Sequence, residues 1–172
     1  MHTTLFLSVS LDGFIADQNG IPRFPEGAWD DWCALVNATD NVIAGRSSFE
    51  QLQEDPMGSI LHPKHRVVLS TQDIDVADSG WTHARSPAEA LKLLEDAGVE
   101  EAIIGGGRAV ASAFMREGLV DQIVFDLQPV AFGTGVPIFG DALEGASLRL
   151  LESQSLNENA VRLRYQVLRD GN

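Results

Sequence analysis

The sequence predicts an α/β fold, a three-layer α/β/α arrangement around a central mixed, mainly parallel sheet that ends in an antiparallel C-terminal meander. Three observations predict it. Strand and helix patterns alternate up to about residue 120, two of the strands end in glycine turns that open directly into helices, and only strand patterns follow.

Residues 3–10 alternate and are rich in β-formers, while Asp12-Gly13 and Asp17-Gln18-Asn19-Gly20 supply turn chemistry, giving a first strand and a loop. Trp29 to Thr39 has apolar residues at 29, 32, 35, 36 and 38, close to helical spacing, with Asp30 and Asp31 in the first turn; a helix should begin near residue 28. Asn41-Val42-Ile43-Ala44 reads as a strand ending at Gly45, with Ser47 or Ser48 capping a helix from about Phe49 to Gln53. Pro56, Gly58 and Pro63 make a loop of residues 54–65, and Arg66-Val67-Val68-Leu69 is a strand closed by Ser70-Thr71. Ser86-Pro87-Ala88-Glu89 has the form of a capping box with proline first in the helix, so residues 87–97 form a helix stopped by Gly98. Glu101 to Ile104 is a strand that runs into Gly105-Gly106-Gly107-Arg108, and a helix from Ala109 to Glu117 follows. Strands over 122–128, 136–139, 148–155 and 161–168 complete the chain.

A length of 172 residues suits one hydrophobic core, so residues 1–172 are expected to form one domain. The net charge of -13 repels phosphate backbones and anionic lipid, which argues against nucleic-acid and membrane partners. An anionic cofactor then needs a local positive pocket, which directs notice to Arg46 and Arg108. Cys33 is the only cysteine, and the apolar run Leu5 to Val9 is far too short for a membrane span and lacks a basic flank; a reducing, cytoplasmic setting is expected.

Ile103-Ile104-Gly105-Gly106-Gly107-Arg108 is the strongest motif, because glycines between a buried strand and a helix let backbone N–H groups approach a pyrophosphate. Alone it is equally a tight turn. It is not a dinucleotide fingerprint of the G-x-G-x-x-G type, since Val110 stands where the last glycine would, and no P-loop follows. Gly45-Arg46-Ser47-Ser48 is a second strand-to-helix turn suited to an anion, though a capped helix start explains it as well. Leu69-Ser70-Thr71 is a third. A long diphosphate cofactor would need several such points.

Taken with Ser10-Leu11-Asp12-Gly13-Phe14-Ile15-Ala16 and Val67-Val68-Leu69-Ser70-Thr71, these segments resemble the dihydrofolate reductase superfamily, and most of all single-domain relatives of the reductase domain of bifunctional riboflavin-biosynthesis deaminase/reductases (the RibD C-terminal domain). The resemblance implies a dihydrofolate reductase-like fold and NADPH as cofactor. It places Ser8, Ile15 and Ala16 beside the nicotinamide. Arg46, Ser47, Ser48, Leu69, Ser70 and Thr71 fall on the adenosine side, where arginine and hydroxyls favour a 2′-phosphate. Gly45 opens the turn on that side; Gly105, Gly106 and Gly107 lie over the pyrophosphate and nicotinamide ribose, with a cis peptide implied between Gly105 and Gly106, and Arg108 and Ala109 complete the cofactor-binding residues.

Reduction of such a ring needs a proton as well as the hydride. Asp31, or Asp30, falls near the carboxylate that meets the pterin in dihydrofolate reductases, though an acid in a first helical turn is ordinarily a solvated dipole partner. Asp126 and Gln128 share one face of a strand whose other face carries Ile123, Phe125 and Leu127, and polar groups there need a reason. Asp31 and Asp126 are therefore the catalytic candidates, and Asp12, Asp30, Asp55 and Gln128 the substrate-binding ones. Phe6 stands where riboflavin-pathway reductases commonly have a lysine. The four histidines form no metal signature. The expected function is an NADPH-dependent reductase of a pyrimidine or pterin-like heterocycle, self-associating as a homodimer through the C-terminal strands. The alternative is a nucleotide-binding module of the same fold without turnover.

Overall fold

A computed structural model describes residues 1–54, 60–140 and 145–169. In chain order its elements are β1 (His2–Ser10), β2 (Phe14–Asp17), α1 (Asp30–Thr39), β3 (Asn41–Gly45), α2 (Arg46–Glu54), β4 (His65–Leu69) and β5 (Thr82–Ala84), then α3 (Pro87–Asp96), β6 (Glu101–Ile104), α4 (Arg108–Arg116), β7 (Gln122–Gln128), β8 (Gly135–Pro137), β9 (Ser147–Ser155) and β10 (Val161–Leu168). The main sheet has eight strands in the order β5-β4-β3-β6-β1-β7-β10-β9. Pairing is parallel from β5 through β7, and antiparallel where β10 joins β7 and β9 joins β10.

Both faces of the sheet are covered. Leu5, Leu7, Val9, Ile43 and Ile104 pack against Ala90 and Leu94 of α3 and Val110, Ala111 and Phe114 of α4. On the other face Phe6, Val42, Ala44, Ile103 and Val124 pack against Trp32, Cys33 and Val36 of α1 and Phe49 of α2. Strands buried on both sides need continuous apolar sequence, and that is what β3 and β6 carry. Burial raises the Cys33 thiol above its usual range, and the nearby Asp30 carboxylate adds to the effect.

Buried polar side chains tie the strands together. Asn41, fully buried, donates from Nδ2 to the carbonyls of Thr39 and Glu101 (both 2.8 Å) and accepts from the Ile103 amide at 2.9 Å, splicing β3 to β6. Thr3 Oγ1 donates to the Leu119 carbonyl at 2.7 Å and anchors the start of β1. Every such group would cost more unsatisfied than it contributes when paired.

Several elements differ from expectation. The residues after Gly13 form β2, which pairs with β8 in a separate antiparallel ribbon. A Cβ on Gly135 would lie 2.2 Å from the Ala16 carbonyl oxygen, so the ribbon closes only on glycine there. The strand placed at 136–139 is shorter and lies outside the main sheet, and β5 was unread. Ser47 and Ser48 do not cap α2, because the helix begins at Arg46 and both lie inside its first turn. No cis peptide occurs among the described residues, which corrects the one expected between Gly105 and Gly106. Close approach there is achieved by missing side chains instead: a Cβ on Gly106 would lie 2.9 Å from both the Gly45 amide nitrogen and Val110 Cβ. No helix of the described residues is long and apolar enough to cross a membrane.

Candidate functional site

The carboxyl ends of the parallel strands open onto a cleft of about 800 Å³, the place where open α/β sheets bind ligands. It gathers turns that lie far apart in the chain. Gly45 to Ser48 line it from the β3–α2 turn, Leu69 to Thr71 from the end of β4, and Gly105 to Ala109 from the β6–α4 turn. Ser8 of β1 and Ile15 and Ala16 of β2 line it from the other side. All residues nominated for the cofactor therefore lie on one cleft.

The register of the sheet explains this convergence. Gly45 is paired with Leu69, and Ile43 with Ile104, so the two glycine turns and the Ser70-Thr71 end emerge side by side. The Gly105 amide donates to the Ile43 carbonyl at 2.9 Å, which fixes the second turn against the first. At the start of α4 the first amides have no intrahelical acceptor and carry the positive end of the helix dipole. Gly107 adopts an extended conformation as the residue before that helix.

The basic side of the cleft carries more than the sequence motifs supplied. Arg46 Nε meets Glu50 at 2.7 Å and its Nη1 meets the Gln72 side chain at 2.5 Å, which holds the guanidinium across the ends of β3 and β4. Arg85 also lines the cleft, donating to the Thr71 carbonyl at 3.2 Å and pairing with Asp73. Its own amide donates to Glu89 at 2.8 Å, and Ser86 Oγ accepts from the Glu89 amide at 3.2 Å, so Ser86 caps α3 while Glu89 reaches back to the residue before the cap. The capping box was legible as a helix start. Its place beside the cleft follows from β5 pairing with β4, which no local signal announces.

Among the described residues, the other nominated ones do not line the cleft. Asp126 is 1% exposed and is gripped by Arg162, whose Nε and Nη2 each lie 2.7 Å from a carboxylate oxygen. Burial pushes the Asp126 carboxyl above its usual range, and the Arg162 hydrogen bonds and charge oppose that rise without cancelling it. The same bonds hold Arg162 higher still. Asp31 is more than half exposed and meets Arg162 Nη2 at 3.3 Å. Asp30 is exposed and Gln128 buried. Asp55 lies outside the described residues.

Asp12 has structural partners. Its carboxylate accepts from Ser10 Oγ (2.6 Å) and from the amides of Phe132 (3.1 Å) and Gly133 (2.7 Å), clamping the β1–β2 turn to the loop before β8. The Ser10 hydroxyl and those amides hold the Asp12 carboxyl below its usual range. Trp29, the residue before α1, and Trp32 of α1, absent from the sequence nominations, do line the cleft. A Cβ on Gly105 would lie 2.6 Å from Trp32 Cζ2, so the indole fills the space that the glycine leaves.

The family model described as "RibD C-terminal domain" matches residues 1–161. The chain is 26% identical over 182 residues to the uncharacterized protein YyaP of Bacillus subtilis (strain 168), covering 94% of this chain and 92% of that one. It is 27% identical over 168 residues to the riboflavin biosynthesis protein RibD of Corynebacterium ammoniagenes, covering 85% of this chain and 49% of that longer protein. Among solved structures, RibD of Acinetobacter baumannii superposes with a TM-score of 0.76 at 20% identity, over 97% of this chain and 58% of that one. At that identity the likeness is one of fold.

Proposed function

Because the chain belongs to the RibD C-terminal domain family, we propose that it is an NADPH-dependent reductase of a pyrimidine or pterin-like heterocycle, akin in reaction class to the uracil reductase of riboflavin biosynthesis and to dihydrofolate reductase. One observation carries the reading: a single cleft collects Gly105 to Arg108, Gly45 to Ser48 and Ser70-Thr71, with Arg46, Arg85 and Arg108 along it, in a chain of net charge -13. A local positive groove in an acidic protein suits an anionic ligand.

The residues present fit NADPH. Gly106 lacks the Cβ that would collide with Gly45 and Val110, leaving a notch where a diphosphate can approach backbone amides. Arg46, Ser47, Ser70, Thr71 and Arg85 supply charge and hydroxyls for the 2′-phosphate. Ser8, Ile15 and Ala16 border the nicotinamide. NADPH, when bound, supplies the hydride; the chain's part is to hold the two rings in line and exclude bulk water.

Nucleotide binding without turnover is the second reading, and an observation favours it: among the described residues, no carboxylate from Asp12, Asp30, Asp31 or Asp126 lines the cleft. The two part experimentally. NADPH should raise the melting temperature more than NADH, stabilisation at a hundredfold excess over Kd being about 2.7 kcal/mol; no shift would overturn both. Steady NADPH consumption with dihydrofolate or an aminouracil ribosyl phosphate would support the first reading, and absence of turnover across a heterocycle screen the second.

The setting we infer is the cytoplasm, and the assembly a homodimer through β9 and β10. Leu148, Leu150 and Leu151 of edge strand β9 are exposed, and an apolar strand edge is prone to pair with another chain. Sedimentation showing a monomer at micromolar concentration would refute the dimer.

A further inference from the structure

We propose that Glu50 and Gln72, acting in opposite senses on Arg46, set how strongly this chain prefers a nucleotide that carries a 2′-phosphate. This rests on the reductase reading and concerns the cofactor specificity of the same cleft. Arg46, the first residue of α2, is held from two directions. Its Nε meets Glu50 Oε1 at 2.7 Å, one turn further along α2, and its Nη1 meets Gln72 Oε1 at 2.5 Å, beyond the end of β4. The two partners are nearly equal in size and differ in charge. Gln72 lines the cleft beside Arg46, whereas Glu50 does not. Glu50 therefore acts on a bound phosphate through Arg46, as a positioning residue.

The backbone under Gln72 is braced. Its amide donates to Ser70 Oγ at 3.1 Å, the Ser70 amide donates to the Ala84 carbonyl at 3.0 Å, and His83 Nε2 lies 2.8 Å from the Ser70 carbonyl. A guanidinium only donates, so the Gln72 side chain must turn its oxygen to Arg46 and its amino group away. That amino group meets no acceptor among the described residues and is left as a donor on the cleft wall.

Charge at this strand end is balanced. Arg85 donates to the Thr71 carbonyl at 3.2 Å and pairs with Asp73, so each of the two arginines already has one carboxylate partner. A second carboxylate on Arg46 would tip the balance to negative. An amide there holds the guanidinium without drawing on its charge. A guanidinium has more N–H donors than these two partners take, so others remain for a phosphate. All four charged side chains are at least half exposed, and solvent keeps each contribution small.

Glu50→Gln and Gln72→Glu preserve the shape around Arg46 and change its charge environment in opposite directions. Affinities of the full chain for NADPH and NADH are measured by calorimetry at low ionic strength. Glu50→Gln should raise the NADPH-over-NADH ratio about threefold, Gln72→Glu should lower it by about as much, and the double exchange should return it near its starting value. High salt should shrink both shifts. A purely structural Gln72 predicts otherwise, since a carboxylate holds a guanidinium at least as well as an amide does. A ratio unchanged or raised in Gln72→Glu, or unchanged in Glu50→Gln, would overturn the proposal. Should Gln72→Glu fail to fold, the exchange at exposed Glu50 decides. Adenosine 2′,5′-bisphosphate against AMP gives the same ratio without the nicotinamide. Opposite shifts with these probes and no turnover of any heterocycle would sink the reductase reading and leave this one standing; NADPH-dependent turnover with ratios unmoved by either exchange would do the reverse.

Discussion

Arg162 on β10 forks over Asp126 on β7, with Nε on one carboxylate oxygen and Nη2 on the other, each at 2.7 Å. The two residues are cross-strand partners in the antiparallel register, so the backbone pairing itself sets the fork. A carboxylate only 1% exposed would be costly if left alone. The pair therefore secures the junction between the parallel part of the sheet and its C-terminal hairpin, and it takes Asp126 out of contention as a freely available proton donor.

Arg162→Ala should destabilise the protein by about 3–5 kcal/mol, the cost of breaking a buried pair from one side, whereas replacing both partners by leucine should cost much less. Urea unfolding checks it. The pH dependence has a definite sign. Burial raises the folded-state Asp126 value, so between the ordinary carboxylate range and the raised value the native state holds more protons, and stability falls as pH rises. Removing the guanidinium widens that window. The Arg162→Ala deficit should therefore shrink as pH is lowered toward 4; a constant deficit would contradict the assignment.

Asp12→Asn should loosen the clamp on Phe132 and Gly133 and lower the melting temperature at neutral pH. The Asp12 carboxyl is held below its ordinary range, so its contribution is fully present above the unfolded value and disappears as pH falls through the folded one. The melting temperatures of wild type and variant should draw together as pH falls below the ordinary Asp value of about 3.9. A difference that persists into acid would show that the charge is not what the clamp uses.

The glycine turns were legible because their chemistry is local: a strand, a residue without Cβ and a helix start are written consecutively at Gly45-Arg46 and at Gly105 to Arg108. The α3 capping box was legible for the same reason. What could not be read locally depends on register. Arg162 gains its role from Asp126, a residue on another strand, and Arg85 reaches the cleft only because β5 pairs beside β4. Asp12-Gly13 reads as a turn and Asp12 as a substrate-binding candidate, but no local signal places its carboxylate on the backbone amides of a distant segment. β2 is four residues long between two turn signals and pairs with the similarly short β8, so neither strand stands out from its surroundings.

Gly106→Val tests the notch directly. Even a first carbon would lie 2.9 Å from Gly45 N and Val110 Cβ, closer than packed atoms tolerate, so the β3–α2 and β6–α4 turns must move apart. Overpacking of this kind costs about 1–3 kcal/mol. The variant should remain folded, with the NADPH-induced thermal shift abolished. Retention of the full shift would remove the glycine turns from the cofactor site.

Arg46→Ala separates the two ends of the cofactor. The guanidinium is half exposed and already engaged by Glu50 and Gln72, so a 2′-phosphate must compete with those partners and the gain is reduced by solvent. A hydrogen bond between charged groups is worth roughly 1.5–3 kcal/mol, and the lower part of that range applies here. NADPH affinity should fall about tenfold, while NADH, which has no 2′-phosphate, should change little. Arg85→Ala should act in the same direction, since Arg85 reaches the same strand end through the Thr71 carbonyl. Equal losses for the two nucleotides in both variants would mean that the arginines serve the diphosphate or the fold, and the preference for NADPH would have to come from elsewhere.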